Sequence, residues 1–289
     1  MPGSASPLLA DVFSARLFPG RSTPPARGLS YAVGSLADMS GAFDVARAMR
    51  AGLGDRQHAW EFIRGLAAEW ISPLAPGDGV SEDVLWAAEQ RLRVNLPAAL
   101  REAYLLFGRR SDLTAVQDPL VPPEGLRADH SGSIVVFRLE NQHCAEWGVA
   151  TEDDWNPADP PVYVRRQPGD RRWEPFMDRV SIACLEMALS ELLIGRGRLG
   201  DMCQLPAELI TGVESAYDQL PVPEYRSWYD RSVTVRWFFA PGKLLRMDGR
   251  GPGCWLIAGG KTPADLKSIR TTFPGPWIQT KWPDEKSQR

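Results

Sequence analysis

The stretch IVVFRLENQHCAEWGVA, residues 134–150, decides the fold class, because here the apolar spacing changes from helical to strand-like. Residues Ile134 to Leu139 form an apolar, β-branched run that predicts a strand, and Glu146 to Ala150 predict a second. Asn141 and its polar neighbours suit the turn between them. Val162 to Val164 predict a third strand, set off by Asn, Asp and Pro.

Upstream, the spacing is helical. Trp60, Ile63, Ala67, Trp70 and Ile71 recur on one helical face that Ser72-Pro73 ends. Ser81 is placed to cap a second helix, with Glu82 and Asp83 in its first turn and Leu85, Ala88 and Leu92 as its buried stripe. Pro97 suits the first turn of a third helix, with Leu100, Ala103, Tyr104 and Phe107 facing inward and Gly108 as a left-handed stop. Downstream, 181–194 returns to an apolar helix. A polar connection follows, and then strands over 233–240, 243–247 and 254–258. Thr262-Pro263-Ala264-Asp265 opens a last short helix with its own cap. Helices, sheet, helix, sheet is the order of an α+β protein, without the alternation of a parallel α/β fold.

Residues 1–57 are rich in Gly, Ser, Pro and Ala, with apolar clusters only at Leu8-Leu9 and Val12-Phe13, and read as a loosely ordered arm. A short helix fits around Phe43 to Met49. The folded domain is expected over 58–280, with a polar tail at 281–289.

The net charge of −3 over 289 residues argues against a general nucleic-acid binder, which carries a basic footprint. Only five of the 33 basic residues are lysine, an arginine bias of the kind GC-rich coding produces. Four widely spaced cysteines give no disulfide framework, and neither a leader peptide nor a membrane span is expected, so the sequence reads as cytoplasmic.

Most chemical motifs fail on context. Gly195, Gly197 and Gly200 match G-x-G-x-x-G but follow a helix, where a dinucleotide loop must open one. Gly260-Lys261-Thr262 lacks the earlier glycine of a phosphate loop, because position 255 is Trp. His143, Cys144 and Glu146 alternate across a hairpin and do not converge as metal ligands do. No catalytic residues, cofactor or metal are therefore expected.

From Glu140 to Asp159 the chain carries Glu140, Glu146, Glu152, Asp153, Asp154 and Asp159, with Trp147 and Trp155 among them and no Lys or Arg. The sign then flips at Arg165, Arg166, Arg171 and Arg172. The acidic run is either a solvated hairpin and loop, with Trp147 in the core, or a protein-binding surface anchored by Trp155.

Several segments resemble the SUKH superfamily of cell-wall-assembly regulators and bacterial immunity proteins. They are SEDVLWAAEQRLRVNLPAALREAYLLFG (81–108), VVFRLENQHCAEWGV (135–149), DPPVYV (159–164), WEPF (173–176) and WFFAPGKLL (237–245). The resemblance runs from about residue 58 to about 280. It implies one SUKH-like α+β domain, an antiparallel sheet packed with helices, with neither catalytic residues nor cofactor. It implies a protein that neutralises a basic toxin domain, often a nuclease, by direct binding. An intracellular scaffold or signalling adaptor is the alternative.

Overall fold

The computed structural model describes residues 43–151, 157–166, 171–195 and 198–278. Helix α1 (Val45–Ala51) opens where the Asp44 carboxylate accepts from the Arg47 amide. Asp55 caps α2 (Arg56–Trp70) in the same way through the His58 amide. Each of these side chains satisfies an amide that the helix leaves without a partner. The stripe Trp60, Ile63 and Ala67 is buried, as its spacing predicts.

The folded unit reaches back to Phe43, well before the boundary expected at residue 58. Phe43 stands edge-on to Phe62 at 5.6 Å, and Val45 and Leu53 are buried. Arg179 donates to the carbonyls of Leu53 and Gly54, tying this segment to the far side of the chain. Its apolar residues are too few and too widely spaced to show periodicity, yet Phe43 packs on Phe62 of α2 and Val45 and Leu53 are buried. A chain beginning at residue 56 is therefore expected to be at least about 3 kcal/mol less stable than one beginning at residue 43, through lost burial of Phe43, Val45 and Leu53. Paired urea melts would show it, and equal midpoints would contradict it.

Helices α3 (Glu82–Leu92) and α4 (Ala98–Phe107) follow, then a single turn, α5 (Ser111–Thr114). Ser81 stands at the N-cap of α3 but makes no capping bond, and Pro97 is the cap of α4, outside its first turn. Gly108 is not left-handed, since its φ is −60°. A Cβ there would lie 2.6 Å from the Tyr104 carbonyl oxygen, so close backbone approach is the reason for glycine. The left-handed stop belongs to Arg93, φ 58°, at the end of α3.

The first sheet is an antiparallel meander in the order β1 (Arg127–Ala128), β2 (Ile134–Leu139), β3 (Ala145–Ala150), β4 (Val162–Arg166), β5 (Glu174–Met177). A bulge between Val136 and Arg138 shifts the β2–β3 register, and Arg138 then stands opposite Trp147. Helix α6 (Val180–Ile194) connects this sheet to the second, and all of its residues are buried. It packs against α2, α4, α5 and the strand β11 (Trp255–Gly260), and so has no solvent face.

The second sheet is also antiparallel. It contains β6 (Leu199–Gln204), β11, β10 (Lys243–Asp248), β9 (Thr234–Ala240) and β7 (Asp218–Gln219) in that order, with β8 (Tyr225–Arg226) also on β9. Helix α7 (Ile210–Ala216) crosses between β6 and β7. Thus the span expected as a polar connection carries three strands and a helix. Helix α8 (Pro263–Thr272) closes the chain with the Thr262–Asp265 capping box that the sequence predicts. Helices and strands fall in separate runs around two antiparallel sheets, an α+β fold. Among the described residues no helix is long and apolar enough to cross a membrane.

Candidate protein-binding site

The acidic residues singled out above fall in unlike places. Glu140 is 1% exposed, and its Oε2 accepts from the amides of Gln142 at 2.7 Å and Cys144 at 3.0 Å. It closes the β2–β3 turn, where His143 takes φ 61°. Glu146 is 2% exposed and pairs with Arg127 and with Arg165, whose Nε lies 2.7 Å from its Oε2. Asp159 accepts from the Ser181 amide at 2.9 Å and hydroxyl at 2.6 Å, serving the first turn of α6. These three present no acidic surface. A run of letters shows the charges but not the arginines and amides that the fold brings to them.

Glu152, Asp153, Asp154 and Trp155 lie outside the described residues. Just beyond them, the Ala158 carbonyl accepts from the Ala99 amide at 2.8 Å, which sets that end of the acidic stretch at the start of α4. Trp147 is in the core, 1% exposed, as its strand position predicts.

The neighbouring helix carries what the sequence reading missed. Helix α3 buries Leu85, Ala88 and Glu89, while Trp86 is 62% exposed and Val84 is 37% exposed. Asp83, Trp86, Ala87 and Gln90 are all exposed, at the three- and four-residue spacing that puts them on one helix face. Glu82 and Glu89 both pair with Arg101 of α4, and Glu89 also accepts from the Leu96 amide at 2.8 Å. These bonds fix α3 on α4, so Trp86 projects from a held scaffold. The signal was present. With Leu85, Ala88 and Leu92 assigned inward, residue 86 is turned about 100° from Leu85 around the axis and further from the other two.

A different cluster lies in the interior. Arg138 donates to Glu186 Oε2 at 2.6 Å and to Asp118 Oδ2 at 3.2 Å, and its guanidinium lies over the Trp147 ring at 4.7 Å. Ser190 and Tyr225 donate to the other Glu186 oxygen, and Trp237 donates to the Tyr225 hydroxyl. Glu191 accepts from the amides of Val116, Gln117 and Asp118. Burial pushes the Asp118 carboxyl up to about 7; Arg138 opposes this, and Glu186, Glu140 and Glu191 add to it. Burial also works against the charged form of Glu186, but Arg138 and Arg246 outweigh it and hold that carboxyl below its usual range. The arrangement suits a structural strut, with one arginine shared between an ionised carboxylate and one that protonates near neutrality.

That assignment has a pH consequence. Asp118 is raised in the folded chain from 3.8, so its contribution is fully present below pH 4 and is lost as pH rises through about 7. Asp118→Asn keeps an acceptor for Arg138 and cannot ionise. Its stability relative to the native chain should therefore rise between pH 4 and 7 and level off above. Denaturant midpoints across that range measure this, and a difference that does not change with pH would refute it.

Comparison with protein-family models, curated proteins and solved structures finds no match to this chain.

Proposed function

We propose that this chain is a non-catalytic protein-binding domain of the SUKH kind that neutralises a toxin domain by direct contact. Trp86 carries the reading: a large aromatic, 62% exposed, on a helix pinned by Arg101 to its neighbour. Exposed tryptophans on rigid supports are the usual centres of binding energy, because they bury much area at little cost in conformational entropy. Asp83 lies three residues before Trp86 on the same exposed face. A basic toxin domain, such as a nuclease, complements that charge.

The segments that carry the family resemblance fall on several elements of the fold. Residues 81–108 are the α3–α4 pair, 135–149 the β2–β3 hairpin, 159–164 the approach to β4, 173–176 the start of β5 and 237–245 the β9–β10 turn.

Growth rescue is the test. Any toxin-like domain encoded beside the gene is expressed alone and with this chain, and a neighbourhood without one favours the adaptor. Rescue, with a complex of the two proteins, is the expected result. Death in both cases would overturn the immunity reading and favour the adaptor. In the same assay Trp86→Ala should weaken the complex by about 2 kcal/mol or more, roughly 30-fold in Kd, with thermal unfolding unchanged. An unaltered Kd would remove Trp86 from the interface.

A further inference from the structure

The middle of helix α2 carries a glycine on a buried face. Gly65 is buried and lies three residues after Phe62, which puts the two on one side of the helix. Glycine is a poor residue in mid-helix, second only to proline, so its presence there points to a contact that a side chain would block. Phe43 makes that contact. A Cβ at position 65 would lie 2.0 Å from Phe43 Cδ2 and 2.1 Å from Cε2, far inside van der Waals separation. The phenyl ring therefore rests on the bare α2 backbone, in a notch that only glycine leaves open. Phe62 stands edge-on beside it at 5.6 Å.

Residues 43–54 depend on this contact more than the rest of the chain does. Helix α1 has only seven residues, too few to persist in water without support. It packs on α2, and Val45 and Leu53 are the buried side chains of the segment. Arg179 holds the far end through the Leu53 and Gly54 carbonyls. Helix α2 itself is anchored elsewhere. Trp60 Nε1 donates to Glu102 Oε2 at 2.7 Å, Arg56 Nε pairs with the same oxygen at 2.9 Å, and the Trp60 ring lies 6.3 Å from Phe107 of α4. Helix α2 packs on α6 as well.

We propose that Phe43 and the Gly65 notch form a latch, by which residues 43–54 close on α2 or open as a unit while the rest of the fold stays in place. With the ring seated, α1 is formed and Phe62 is 1% exposed. With the ring withdrawn, α1 loses its support and melts, and the side of Phe62 that Phe43 covers meets solvent. Segments of this kind, short and tied by few buried side chains, open at lower cost than the core. The latch is a local switch of apolar surface on α2, and it uses no residue of α3. It therefore stands whether or not Trp86 meets a partner.

Amide exchange followed by NMR on the full chain, with a double-mutant cycle beside it, is the test. In the unsubstituted chain the amides of Arg47, Ala48 and Gly52, bonded within residues 44–52, should exchange through an opening that leaves the α6 amides protected. Gly65→Ala drives the ring from its notch, so exchange of those three amides should quicken at least about tenfold with α6 unchanged. Phe43→Ala should do the same. The effect of Gly65→Ala on urea unfolding should also change sign with the residue at position 43. With phenylalanine there, the substitution should lower the folded-to-unfolded ratio. In the Phe43→Ala chain the added methyl meets no ring and alanine suits the helix better, so the ratio should rise about two- to fivefold. The same sign in both chains would show that the glycine does not serve Phe43. Unchanged exchange at residues 47–52 in Gly65→Ala, or loss of α1 and α6 protection together, would show that no separate latch exists. Any of these results overturns the proposal.

Discussion

Arg138→Met is expected to cost about 3–5 kcal/mol of stability at neutral pH, the loss that follows when one member of a buried ion pair is removed. Arg138 is 1% exposed and serves Glu186 and Asp118 together, with a third bond from its Nε to the Asp118 carbonyl at 3.2 Å. Methionine fills much of the volume but takes from both carboxylates the guanidinium that bonds to them, leaving Arg246 as the remaining cation acting on Glu186. Glu186 keeps Ser190 and Tyr225 as donors, which is too little for a charge at that depth. The deficit should shrink as pH falls, because protonation of both acids relieves the variant more than the native chain. Urea denaturation at pH 5 and pH 8 separates these effects. A cost below about 1 kcal/mol at pH 8 would mean the network contributes little.

Trp147→Ala is expected to be as damaging, at about 3–5 kcal/mol, for a different reason. The ring is 1% exposed, edge-on to Phe176 at 5.9 Å and to Trp228 at 6.1 Å, with Arg138 over its face. It thus packs β3 against Phe176 of β5 and against Trp228, which follows β8, and alanine there opens a cavity. The double variant with Arg138→Met should cost less than the sum of the two, because each side chain packs on the other. Strict additivity would show that the stacking contributes nothing.

Sequence spacing carried far where one face of an element is apolar. Strand β2 and helix α2 lie within a residue or two of their expected limits, helix α8 opens where expected, and the Thr262–Asp265 cap was legible as four letters. It failed where burial is two-sided or the element is short. Strand β6 (LGDMCQ) contains Gly200 and Asp201, both poor strand formers, and is held by its ladder to β11. Strand β5 contains Pro175, which an edge position tolerates, so the four-residue run showed no alternation.

The charged interior was the larger gap. Arg138, Glu146, Glu186 and Glu191 occupy positions that binary patterning assigns to apolar side chains, and only the folded pairing explains them. The same gap misplaced the acidic surface, because Glu140, Glu146 and Asp159 were counted as free charge. Trp86 was the converse gap, an apolar letter left unread on a helix whose inward face was already filled.

Contact between α3 and the partner is what the proposed function requires. The most direct measurement is hydrogen–deuterium exchange of the chain, alone and with a toxin domain that it neutralises in the growth assay. Residues 82–92 should gain protection in the complex, and most of that gain should vanish with Trp86→Ala. Protection confined to other elements, with α3 exchanging as it does in the free chain, would contradict the proposed interface.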